Sequence, residues 1–285
     1  MRTTGWGLLC AAAVVSSGCF TRTIAEKMGV SGWFRADLEP SRPDAYKERF
    51  EPLPLADAAF ACEKLTPLVR DPSSPIIVMV HGVGGDAEET EESLPLLMAG
   101  PHASIFLFRW VSYDSRDAVA ARLAAGISKL SHCVPSSEGR LLILAHSAGG
   151  VLSSFAASRI QLPAATTKVP WLTILTVASP LSGTMARAVR PDGAEESALL
   201  LDFGTAISTY PAAAPGVRVV HLRSQAPADS VMTPYKGHVP NNPKVGVPGA
   251  PQLDLPDHLS HNGALVYVAG EIAADRWKGW RDGSP

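Results

Sequence analysis

Ser147 lies in Leu144-Ala145-His146-Ser147-Ala148-Gly149-Gly150, behind a five-residue apolar run and ahead of only small side chains. A serine hydroxyl becomes a useful nucleophile when a nearby base removes its proton and fixed donors hold the charge that develops on the attacked carbonyl. A serine on a tight turn between a buried strand and a helix has the form of the G-x-S-x-G nucleophile elbow, here with Ala145 in place of the first glycine. The turn holds the serine in strained backbone geometry, and side chains two positions either side of it would collide. Alanine carries the smallest Cβ, so the pattern survives the change. The alternative is a purely structural strand-to-helix turn.

A second loop, His81-Gly82-Val83-Gly84-Gly85, directly follows another apolar run. Its glycines allow a sharp turn that brings backbone N–H groups towards the serine. The natural oxyanion pair is the amide of Val83 and that of Ala148, the residue after the nucleophile. Losing one such donor typically costs about 3 kcal/mol of transition-state stabilisation. A phosphate-binding glycine loop is the competing reading, but no Lys-Ser/Thr follows these glycines and no ribose-binding acid is suitably placed. His81 fits a structural role bracing the loop. The histidines are scattered without zinc-ligand spacing, so no metal site and no cofactor is implied.

These loops must be held by a sheet. Residues 76–80, 104–108, 141–145, 172–177 and 217–222 are short apolar runs of the kind buried on both faces of a parallel sheet. Between the second and third, residues 116–130 place Val119, Leu123, Ile127 and Leu130 on one helical face. Further helices are predicted over 56–65, 88–98, 151–160 and 264–277. Strands alternating with helices predict an α/β fold. It would be a doubly wound, mostly parallel sheet of about six strands, with helices on both faces and the site at the strands' carboxyl ends.

The 285 residues, 46% apolar and 18% charged, suit one large domain and exclude a disordered chain. With 25 basic and 27 acidic residues there is no electrostatic footprint for nucleic acid. The chain opens Met1-Arg2, followed by an apolar run over residues 5–15 and the small-residue site Ser16-Ser17-Gly18-Cys19, as a secretory signal does. The cysteine after Ser-Gly resembles a bacterial lipobox, with Ser16 where that pattern has an apolar residue. The resemblance implies that residues 1–18 are removed and Cys19 is acylated, anchoring the protein to a membrane by lipid. Phe20, in place of Asp, points to the outer membrane of a bacterial envelope. An ordinary secretory signal leading to a secreted protein is the alternative. In such an oxidising compartment Cys62 and Cys133 could bridge, or both could remain free thiols. Residues 19–74 are Pro-rich and read as a tether and N-terminal extension; residues 75–285 form the main domain.

Val78-Met79-Val80-His81-Gly82-Val83-Gly84-Gly85 and Ala145-His146-Ser147-Ala148-Gly149-Gly150 together resemble the α/β-hydrolase superfamily. They are especially similar to small bacterial serine lipases and esterases that carry alanine at the first elbow position. The likeness covers roughly residues 75–275. It implies an order of serine, acid, then histidine, with the acid after the penultimate strand. Asp229, in Ala228-Asp229-Ser230-Val231-Met232, matches the acid loop better than Asp202, Asp254 or Asp257. His261 matches the base, two residues ahead of Gly263 at the start of the last helix, with His258 as the alternative. His221 reads as a packed or edge strand residue and His146 as a steric neighbour of the nucleophile.

The implied activity is hydrolysis of carboxylic esters, small-molecule or lipid, through Ser147, His261 and Asp229 and an acyl-enzyme. It would rise with pH as histidine loses its proton, near pH 6.5 for an ordinary imidazole. An acyltransferase or amidase would use the same triad, and a non-catalytic envelope-binding module on this fold is the third reading. In the family a lid follows residues 172–177, here from Ala178 to about residue 215. Residues 234–256, with six prolines, form a stiff loop at the rim of the site. A monomer is expected.

Overall fold

A computed structural model describes residues 76–82, 93, 96–97, 104–108, 110, 115–133, 141–163, 171–182, 209–224, 245–277 and 280. The signal segment, the tether with Cys19 and Cys62, the helix expected over 56–65, Val83, Asp229, residues 183–208 of the lid and residues 234–244 of the rim segment lie outside these residues. Of the helix expected over 88–98, Leu96 and Leu97 are described and helical, with Leu97 wholly buried.

Six strands form one sheet in the order β2-β1-β3-β4-β5-β6, and every neighbouring pair is parallel. They are β1 (Ile76–Val80), β2 (Ser104–Phe108), β3 (Leu141–His146), β4 (Leu172–Val177), β5 (Val217–Arg223) and β6 (Gln252–Asp254). Three described helices cross between or follow them: α1 (Arg116–Cys133), α2 (Ala148–Ala156) and α3 (His261–Ala273). In β1, β3 and β4 every residue is buried, which is why these strands read as mostly apolar runs rather than alternating ones.

Alternation of side chains along each strand divides the core into two layers. Ile76, Val78 and Val80 of β1 and Leu141, Ile143 and Ala145 of β3 face α1 and α2. The stripe Val119, Leu123, Ile127 and Leu130 of α1 is buried there completely. Ile77 and Met79, with Leu142 and Leu144, face the opposite way and pack on Ala264, Leu265, Val268, Ala269 and Ile272 of α3. Helices on both faces make this the doubly wound α/β sheet that the sequence predicts.

Three of the departures from the expected boundaries have a local reason. α2 begins at Ala148, immediately after Ser147, rather than at residue 151. Two successive glycines lower helix propensity there, yet both are demanded by contact. A Cβ on Gly149 would collide with the carbonyl oxygens of Val80 and His81, and one on Gly150 with the side chains of Ser179 and Thr176. α3 begins at His261, not at 264, because Ser260 caps it: the Gly263 N–H donates to Ser260 Oγ at 3.1 Å. Finally, the Pro-rich segment 234–256, expected to be a rim loop, ends in a short strand. β6 pairs with the end of β5 through His221↔Gln252, Leu222↔Leu253 and Arg223↔Asp254. Three residues between Pro251 and Pro256 are too few to show a period, and proline is tolerated beside an edge strand.

Candidate active site

Because all six strands run the same way, their carboxyl ends share one edge of the sheet, where open α/β sheets place their sites. β1 ends there in His81, β3 in Ser147, β5 in Ser224, and α3 starts seven residues beyond β6 with His261.

Ser147 takes φ 52° and ψ −126°, a left-handed conformation rare for any residue with a Cβ. Its N–H donates to Val177 O of β4 at 2.9 Å, and its carbonyl accepts from Gly150 N at 3.0 Å, so the strained turn is held from both sides. Serine at a helix N-terminus usually spends its oxygen capping the first turn. Ser147 occupies the N-cap of α2 and its side chain makes no capping hydrogen bond. Its hydroxyl is thus presented at the N-terminus of α2, where the helix dipole is positive and the amide of Ala148 is the first of the turn.

The end of β1 lies against that same turn, as the Gly149 contacts with Val80 and His81 show. His81 is buried, and its ring stacks on Trp110 with centroids 5.1 Å apart and planes 4° from parallel. The Trp110 backbone N–H donates to His81 Nε2 at 3.2 Å, which leaves the ring proton on Nδ1 to donate to Gly82 O at 2.7 Å. The Trp110 indole N–H donates to His81 O at 3.0 Å. His81 therefore braces the root of the glycine loop, and Val83 follows just outside the described residues.

His261 is half-buried at the first position of α3. Its ring lies against that of His146, with centroids 4.6 Å apart and a 48° tilt, and its carbonyl oxygen is 3.1 Å from His146 Nε2. The observed link to the Ser147 turn is thus one residue removed: His261 engages the residue before Ser147. His258 stands out in solvent, its side chain 76% exposed and its Nδ1 3.9 Å from the Asp257 carboxylate. Asp254 is engaged elsewhere, accepting from Nε and Nη2 of Arg223 at 2.9 and 2.6 Å. Asp229 belongs to the segment that leaves the carboxyl end of β5 after Ser224.

His221 is a packed residue. It is 1% exposed on β5, accepts at Nε2 from Val247 N (3.1 Å) and so donates from Nδ1 to Thr176 Oγ1 (2.8 Å). Burial pushes its pKa down to about 4, so it is neutral at ordinary pH. Its bond to Val247 holds the segment leading into β6 against the sheet. The role of His146 beside His261 was not visible in sequence. The one available signal is that alternation puts it on the α3 face with Leu142 and Leu144. Among the described residues, no group of three or more His, Cys, Asp or Glu could hold a metal.

No family model and no curated protein sequence matches the chain. Solved structures do. Lipase B of Aspergillus fumigatus superposes with a TM-score of 0.51 at 17% identity, over 82% of this chain and 62% of that one. This is the α/β-hydrolase fold. Phospholipase PlaB from Legionella pneumophila superposes with a TM-score of 0.48 at 13% identity, over 74% of this chain and 63% of that one. The mature lipase BlEst2 of Bacillus licheniformis matches at 0.44 and 14%, over 73% and 92%. The chain spans less than two thirds of the length of the first two structures.

Proposed function

We propose that the protein is a serine hydrolase of carboxylic esters, with Ser147 as nucleophile, His261 as general base and acid, and Asp229 as the group that orients His261. The observation that carries this reading is Ser147 itself: a non-glycine residue at φ 52° between a buried strand and a helix, its hydroxyl not spent on the cap. Strain of this kind costs about 1–3 kcal/mol and persists where the surroundings over-determine it, as at active sites.

His261 takes the Ser147 proton as Oγ bonds to the acyl carbon. The amides of Ala148 and Val83 hold the oxyanion. The carbon–oxygen bond to the alcohol then breaks, and the alcohol leaves with the proton from His261. Water, deprotonated by His261, attacks the acyl-enzyme and releases the acid, returning the proton to Ser147.

The test is a panel of p-nitrophenyl esters of increasing chain length, with Ser147→Ala as the control. Hydrolysis of at least one ester, falling by about 10⁴-fold or more in the variant, is expected. Equal activity in the two proteins refutes the assignment of Ser147. The N-terminal pattern supports anchoring through acylated Cys19 at the bacterial outer membrane. Cys19→Ser should then release the protein into the soluble fraction, and continued membrane association of that variant rejects the lipid anchor.

A further inference from the structure

We infer that His146 is a positioning residue that sets where His261 stands relative to Ser147; the inference rests on the reading of those two residues as base and nucleophile. His146 is the last residue of β3 and faces α3, whereas its neighbour Ala145 faces the other core layer. It is 1% exposed. A buried imidazole among Leu142, Leu144 and α3 must find polar partners or lose stability. One partner is unusual in its placement: Nε2 lies 3.1 Å from the carbonyl oxygen of His261. A carbonyl can only accept, so Nε2 carries the proton and donates.

The consequence is geometric. The hydrogen bond holds the backbone of the base, and the tilted ring at 4.6 Å forms one wall of the space in which the His261 imidazole turns. The same residue is joined by one peptide bond to Ser147, whose φ and ψ are held by Val177 and Gly150. Nucleophile and base are 114 positions apart in the chain and come from different elements. The side chain of the residue bonded to Ser147, itself on a central strand of the sheet, is in direct contact with His261. Ser260 contributes from the other side by capping α3 through Gly263, which fixes the first turn on which His261 sits. Reacting groups displaced by about 1 Å can lose roughly 10²-fold in rate, so a spacer at this point bears on turnover more than on substrate affinity.

Four proteins test this: wild type, His146→Gln, His146→Phe and His146→Ala, with Ser147→Ala as blank. A fluorophosphonate that phosphonylates Ser147 and releases fluoride counts the reactive sites, so kcat is expressed per site. Glutamine places an N–H donor near the position of Nε2, whereas phenylalanine keeps a ring and loses the donor. We expect His146→Gln within about fivefold of wild type and His146→Phe and His146→Ala lower by about 10²-fold, with KM for a short soluble ester within about threefold. Phenylalanine preserves most of the buried volume, so it reports even where the alanine variant does not fold. Unchanged kcat per site in His146→Phe overturns the inference. So do equal losses in His146→Gln and His146→Phe, which would assign the residue to filling the core. A wild-type protein not labelled at Ser147 rejects the proposed function, and this inference with it.

Discussion

Replacing Gly149 by alanine adds one methyl group at a tight contact, where the first turn of α2 meets the end of β1. The new Cβ would lie 2.5 Å from the Val80 carbonyl oxygen, against an ordinary contact of 3.4 Å or more, a shortfall of about 0.9 Å. It would press on the His81 carbonyl as well, and both obstacles are backbone of a buried strand end, which cannot swing aside. The helix must therefore withdraw by most of an ångström, taking Ser147 and the Ala148 amide away from the glycine loop. Alanine gains about 1 kcal/mol in helix propensity, while overpacking costs about 1–3 kcal/mol, so stability should fall by no more than about 2 kcal/mol. A displacement of that size should lower kcat by about 10²-fold, well beyond what the stability change alone explains. Urea unfolding and ester kinetics on the same preparation separate the two effects. Gly270→Ala is the comparison, since a Cβ there in α3 meets nothing within 4 Å. It should stabilise by about 0.5–1 kcal/mol and leave kcat unchanged. A Gly149→Ala enzyme with wild-type kcat would refute the claim that close approach of α2 to β1 shapes the site.

His221 should make stability depend on pH. The unfolded chain takes up a proton at this histidine as pH falls through about 6.5, while the folded protein resists until about 4. Its contribution is therefore fully present above pH 6.5 and is lost between 6.5 and 4, by about 3 kcal/mol. Urea midpoints of wild type and His221→Asn across that range should converge on acidification, and parallel curves would show that His221 is not responsible. The Arg223–Asp254 pair joins β5 to β6 at the surface, with side chains 27% and 48% exposed. A double-mutant cycle to alanine should give less than about 1 kcal/mol of coupling, falling with salt; a larger value would mean that the pair holds β6 in place.

β1, β3 and β4 were legible because they are buried on both faces; β1, β2 and β4 have the predicted limits, and β3 and β5 run one residue further. The stripe on α1 was legible for the complementary reason, a single apolar face at helical spacing. β6 was not, since three half-exposed residues between prolines carry neither signal. The start of α2 was obscured by Gly149 and Gly150, whose presence is explained by contacts with residues far off in the chain rather than by local preference. Ser147 could be singled out because its chemistry depends on a local turn. The approach of His146 to His261 could not, because it depends on how α3 docks after 115 residues of chain. His221 was placed as a strand residue, but its bond to Val247 depends on the same long-range closure.

β6 also gives the sheet a blunt margin. Three residues offer an approaching chain little ladder to extend, and Pro251 and Pro256 on its flanks have no N–H to donate. Val245 O beside it is already taken by the Gln252 side-chain amide. A protein built around a sheet of apolar strands thus carries, on the side next to its histidine, a border that discourages stacking into fibrils.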